Sequence, residues 1–166
     1  WNRTFGGSQD DAGFQVLEAK DGYALVGRTE SESDRKKIIL IEVNSDGRIL
    51  WERSYRGSSA SSLQSTADGG YVIAGRIDNT DTGRDALIIK TDSAGREEWS
   101  MTRGGRGDDI GTFAIQNKDG SYTMTGITDS YGAGREDAWL IRIAATEPQM
   151  MENKTELRHI EFAKSN

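Results

Sequence analysis

Apolar residues recur along this chain in short runs of two kinds. Residues 23–26, 37–41, 71–74 and 86–89 are almost wholly apolar. Such runs predict strands covered on both faces. Residues 1–5 alternate apolar and polar side chains, as a half-buried strand does, and residues 99–103 are read as the same outer strand. Between them lie residues 14–19, a weaker run at 63–66, and the runs 112–116, 121–125 and 138–143. Turn residues separate the runs. Asp21-Gly22, Asp68-Gly69-Gly70 and Asp119-Gly120 supply types that tolerate positive φ, and Asn44-Ser45-Asp46-Gly47 and Asp92-Ser93-Ala94-Gly95 form a second set. Neither the 3.6-residue period of an amphipathic helix nor the length of a membrane helix, about 20 apolar residues, occurs.

The runs repeat as a unit. Trp1, Trp51 and Trp99 open three copies, spaced 50 and 48 residues apart. In each copy an Asp-Gly turn leads into an aromatic position, Tyr23, Tyr71 or Tyr122, and the run after it ends on Gly27, Gly75 or Gly126. Near the heads of copies one and three stand Gly6-Gly7 with Asp10 and Asp11, and Gly104-Gly105 with Asp108 and Asp109. A period of about 50 residues with several short strands per unit predicts an all-β propeller built from four-stranded antiparallel blades. The chain then divides into repeats at about 1–50, 51–98 and 99–147. The third copy departs from the pattern: Ala144-Ala145-Thr146-Glu147-Pro148 replaces the Asp-x-x-Gly turn, and Met150 stands where a Trp is due. Pro148 marks the start of a charged tail, 148–166, for which helix, strand and disorder all stay open.

Composition adds constraints. The 166 residues suffice for one domain with a core, and 20 Gly against 1 Pro suits many strands joined by turns. No Cys is present, which excludes disulfides and thiol chemistry. A net charge of −6 argues against nucleic acid as a partner. The chain opens without Met or a signal peptide, as expected of a mature product or a piece cut at a repeat boundary. Asn2-Arg3-Thr4 and Asn153-Lys154-Thr155 match the N-glycosylation acceptor pattern and favour an extracellular or cell-surface setting.

The repeated Trp and Tyr residues are read as packing between neighbouring blades, with a sugar platform as the sharper alternative. Strand order in a four-stranded meander sends the loops 6–13, 28–36, 56–62, 76–85, 104–111 and 128–137 to one face. These are the long loops, so that face is the expected recognition surface. Its candidate ligand-binding residues are Asp10, Asp11, Arg28, Arg76, Asp85, Asp108, Asp109 and Asp137, with Asp34, Asp78, Asp81 and Asp129 nearby. No cofactor is required by any motif, but clustered acids make calcium a candidate ion; turn capping and ion pairs with the loop arginines are the plainer explanation. The only His, His159, lies in the tail, so no hydrolase triad can be assembled, and no catalytic residue is assigned.

The pattern Trp, Gly-Gly, Asp-Asp, Asp-Gly-x-Tyr, Gly, Asp-x-Trp-Leu, Asp-x-x-Gly, Trp resembles the roughly 50-residue repeats of archaeal and bacterial cell-surface β-propellers. Copy three carries it through Gly126, the Gly132-Ala133-Gly134 loop and Asp137-Ala138-Trp139-Leu140, and copy two through Asp85-Ala86-Leu87 and Lys90-Thr91-Asp92-Ser93-Ala94-Gly95. Asp92, Gly95 and Trp99 also look distantly like the tryptophan-docking repeat of quinoproteins. The resemblance covers about residues 1–143 and implies a scaffold more than an activity. A non-enzymatic extracellular module binding a protein or glycan is therefore expected. A propeller lyase, glycosidase or quinone-dependent dehydrogenase with a site in the central channel is the alternative. Three blades are too few for a ring. Either two chains join as six blades, residues 1–5 completing the third blade of the partner, or further blades belong to the same protein.

Overall fold

The structure is a computed structural model and describes residues 1–30 and 36–145. The tail, with His159 and the second acceptor triplet, and Asp34 lie outside the described residues. The described chain is all-β: eleven antiparallel strands in three sheets, with no helix. Sheet 1 is the meander β1 (Asp11–Ala19), β2 (Gly22–Glu30), β3 (Lys36–Asn44), β4 (Ile49–Arg56). Sheet 2 repeats it with β5 (Ser59–Ser65), β6 (Tyr71–Asn79), β7 (Gly83–Thr91) and β8 (Glu97–Arg103). Sheet 3 has three described strands, β9 (Asp109–Gln116), β10 (Tyr122–Thr128) and β11 (Asp137–Ile143).

The sheets stack face to face with sheet 2 in the middle. Ala24, Val26, Ile38 and Leu40 of sheet 1 meet Leu63, Ile73, Leu87 and Ile89 of sheet 2. On its other face, sheet 2 presents Val72, Ala74, Ala86 and Ile88 to Ala114, Tyr122, Met124 and Ile143 of sheet 3. This explains the unbroken apolar runs, since alternate side chains of β7 enter two different cores. Polar contacts join the first strands. Gln15 of β1 donates to the Leu63 carbonyl and accepts from the Leu63 N–H, both at 2.9 Å. Ser62 Oγ accepts the Ala114 N–H at 3.3 Å.

Each first strand carries a bulge at the same place, where Phe14, Ser61 and Thr112 are left without a partner in the ladder. Opposite stand Gly27, Gly75 and Gly126. A Cβ on these would lie 2.2, 2.3 and 2.2 Å from the carbonyl oxygens of Ala12, Ser59 and Ile110. The recurring glycine that ends each run is thus a place where two backbones touch.

Trp51 and Trp99 act as inter-sheet wedges. Trp51 of β4 lies 6.2 Å from Tyr71, and Trp99 of β8 meets Tyr122 edge-on at 4.9 Å. Gly95, at φ +70°, has no room for a side chain because the Trp51 ring covers it. Residues 1–5 correct an expectation: they form no strand, and Trp1 is 68% exposed. Strand pairing needs a neighbour with free backbone groups, and residues 1–5 pair with none of the described strands. They lie instead across the open face of sheet 1, where Phe5 packs with Leu25, Ile39, Ile41 and Val43. The Trp1 ring sits 6.3 Å from Tyr23, and its N–H donates to the Ser45 carbonyl at 2.9 Å.

Lys90 is fully buried between sheets 2 and 3. Its Nζ donates to Asp68 Oδ2 at 2.7 Å, Glu98 Oε2 at 2.8 Å and the Thr91 carbonyl at 2.7 Å. Burial alone would lower the ammonium pKa, but bonds to the two carboxylates raise it. Burial pushes the Asp68 carboxyl up, yet hydrogen bonds from Lys90, Thr66 and the Gly70 N–H outweigh this and hold it at about 2, below the ordinary 3.8. A folded-state value below the unfolded one stabilises the fold above about pH 4, and the contribution is lost as pH falls through 2. Asp68 is half exposed, which reduces its worth to about 1 kcal/mol. Asp68→Asn is therefore expected to narrow its stability gap to the parent protein between pH 4 and 2. Urea titrations across that window read the gap; a constant one would refute the assignment.

Candidate functional site

The strand ends place loops 6–10, 57–58, 80–82, 104–108 and 129–136 at one end of the stack, together with the ends of β2 and β3. Among the described residues the strands are joined at the opposite end only by tight turns. Several loops are shorter than the sequence suggests. β6 and β7 run on to Asn79 and Gly83, closing over 80–82, and β5 begins at Ser59. Their polar ends lie beyond the buried core, so no apolar run marks them, yet the backbone ladder continues.

The predicted ligand residues are distributed accordingly. Asp10 and Asp108 are in loops; Arg28, Arg76 and Asp85 are in β2, β6 and β7; Asp11, Asp109 and Asp137 open β1, β9 and β11. Most of the acids close their own loops. Asp11 Oδ2 accepts the Gly7 N–H at 2.8 Å, and Asp109 Oδ2 does the same for Gly105 at 2.9 Å. Asp109, wholly buried, also accepts from the Thr128 and Ser130 hydroxyls. Asp137 accepts from the N–H groups of Ala133 and Gly134, and Asp85 from Asn79 and Thr82. Asp108 accepts the Arg84 N–H at 3.0 Å and so ties the 104–108 loop to β7. Asp85 and Asp109 come together around Gly104, where a Cβ would lie 2.2 and 2.9 Å from their oxygens. Asp10 lies exposed at the sheet 1 end, its carbonyl accepting the Glu30 N–H at 3.1 Å. Among the described residues, Asp11 Oδ1 and the Nε atoms of Arg28 and Arg76 are buried without a hydrogen-bond partner. Among the described residues no three acidic, histidine or cysteine side chains gather as a metal-holding group.

A cleft of about 790 Å³ opens at this end between sheets 1 and 2. Lys36, Lys37, Ser54, Tyr55, Arg56, Ser58 and Asp78 line it. Lys37 and Arg56 pair across β3 and β4 one position from Ile38 and Tyr55, whose side chains enter the core with sheet 2, so the two cations are directed to the other face of sheet 1, at the rim of the cleft. Like charges so placed repel, and an anionic group between them would relieve the repulsion. Lys36 leans on Glu30 at 3.7 Å, while Lys37 and Arg56 face solvent. The Tyr55 hydroxyl donates to the Gly95 carbonyl at 2.7 Å, and burial pushes its pKa up, so it stays protonated and serves as a wall. Sequence reasoning missed this basic cleft. Its signal was Lys36-Lys37 just past a long loop and Arg56 ending the outer strand, residues that meet only through the β3–β4 register. No helix among the described residues is long and apolar enough to cross a membrane. No protein-family model and no curated protein matches the chain.

Proposed function

We propose that the chain is part of a β-propeller and works as a non-enzymatic extracellular or cell-surface scaffold, binding a protein or glycan through its long-loop face. The observation that carries this reading is the cleft between sheets 1 and 2 at the loop-bearing end, with Lys36 among its lining residues and the paired cations Lys37 and Arg56 on its rim. Its volume is within the usual range of ligand sites, about 300–1,000 Å³. The preferred ligand is one with carboxylate or sulfate groups, such as a uronic-acid oligosaccharide or an acidic protein loop. Support for the propeller comes from sheets that repeat one meander, stack face to face and bring their first strands together. The resemblance of the repeats to cell-surface propellers supports the location.

A glycan array including acidic and neutral oligosaccharides tests the reading. Binding is expected for acidic members, weakened about 10-fold or more by the double substitution Lys37→Ala, Arg56→Ala, and weakened by salt. Binding indifferent to both would overturn the assignment of the cleft. Cleavage of a bound oligosaccharide would overturn the non-enzymatic reading.

A further inference from the structure

Equivalent residues of the three sheets have different burial, and the differences fall on the two outer faces of the stack. Leu40, Ile88 and Leu140 hold one position, opposite Val26, Ala74 and Thr125. The first two are 0% exposed and Leu140 is 73% exposed. Phe113 and Ile115 are exposed beside it. At the other end of the stack, Val16 is 59% exposed while its counterpart Leu63 is fully buried, and Tyr23 is exposed where Tyr71 is buried. The outer face of sheet 3 therefore carries the kind of surface that sheet 2 offers to sheet 3. Sheet 1 carries the kind that sheet 2 offers to sheet 1. Within one chain these surfaces cannot meet, because sheet 2 stands between them.

Residues 1–5 and β11 show the same mismatch in their backbones. Trp1 lies on Tyr23 and Gly47 as Trp51 lies on Tyr71 and Gly95. It thus occupies the place of a fourth strand belonging to a preceding sheet, without that sheet's third strand beside it. β11 pairs only with β10 among the described residues. In sheets 1 and 2 the third strand sets Glu42 against Trp51 and Lys90 against Trp99. The corresponding residue of β11 is Arg142, whose bond to Asp119 at 2.6 Å repeats the Lys90–Asp68 pair on an uncovered face.

We propose that the outer face of sheet 3 seats on the open face of sheet 1 of a second copy of this chain, whose residues 1–5 add the fourth strand to β11. Trp1 of that copy then lies beside Arg142, and Leu140 enters the cavity of about 420 Å³ bounded by Trp1, Phe5, Val16 and Tyr23. A twofold axis produces two such contacts and leaves neither face open, closing six sheets into a ring. The inference rests on the propeller reading above.

Sedimentation of the full chain at micromolar concentration tests it. A species of twice the 18.3 kDa chain mass is expected. Leu140→Lys and Val16→Lys alter exposed residues, so each variant is expected to keep its strand signal in circular dichroism while the pair dissociates, with affinity lower by on the order of 30-fold or more. Mixing the two variants is expected to restore a species of double mass, because one of the two contacts then joins unaltered faces. A folded monomer, open-ended higher oligomers, or pairing that survives both substitutions would overturn the proposal. Those results leave the acidic-ligand assay untouched, and failure of that assay leaves the pairing result standing.

Discussion

Gly75→Val is expected to lower the free energy of unfolding by about 3 kcal/mol, a large part of the roughly 5–15 kcal/mol typical of a domain. The reason is the bulge of β5. Its carbonyl at Ser59 would sit 2.3 Å from a Cβ on Gly75, and Ala60 Cα 3.0 Å from it. Both obstacles are backbone, so no rotamer change relieves them. Gly75 is also buried between two cores, which leaves no direction in which β6 could retreat. Gly13 offers the contrast. It lies in β1 with no atom within 4 Å of the point a Cβ would occupy, and Gly13→Ala is expected to be neutral or to stabilise by up to about 1 kcal/mol. Urea unfolding of the two variants checks the pair. Equal effects would mean that the bulges do not require glycine.

Trp51→Ala is expected to cost about 3 kcal/mol, the lower end for a truncated aromatic because the ring is only partly buried. Its ring is wedged between Tyr71 and Gly95, with the Arg53 guanidinium 5.9 Å from its centre. Trp1 has the same repeat position and a similar Tyr contact, yet Trp1→Ala is expected to cost the single chain less than about 1 kcal/mol, since most of that ring faces solvent. Its larger effect is expected on the pairing of two chains, where it would be covered. Thermal melts of both variants, compared with their sedimentation, separate the two roles. A Trp51→Ala protein as stable as its parent would remove the indoles from the account of inter-sheet packing.

Much of the architecture was legible because one repeat is written three times. Tyr71 and Tyr122, and Trp51 and Trp99, stand at the sheet junctions where the spacing placed them, whereas Tyr23 meets the exposed Trp1 on the open face of sheet 1. The candidate site was less legible. Asp11, Asp109 and Asp137 look like ligands when loop acids are considered by type alone, but a carboxylate next to free N–H groups caps its own loop first. Lys36, Lys37 and Arg56 gather only because two strands pair in one register and a second sheet stands across the gap.

The strands, their antiparallel order and the turns follow from the order of residues alone, because period-two patterning and Gly-Asp chemistry act over a few neighbouring positions. Three further features needed the folded chain: how far the polar strand ends extend, why Gly27, Gly75 and Gly126 must be glycine, and how a lysine can be buried between two sheets. Each depends on atoms from elsewhere in the chain: the bulged carbonyls of Ala12, Ser59 and Ile110, and the carboxylates of Asp68 and Glu98 around Lys90. The same holds for residues 1–5, whose alternating pattern describes a strand while their position beside sheet 1 denies them a partner.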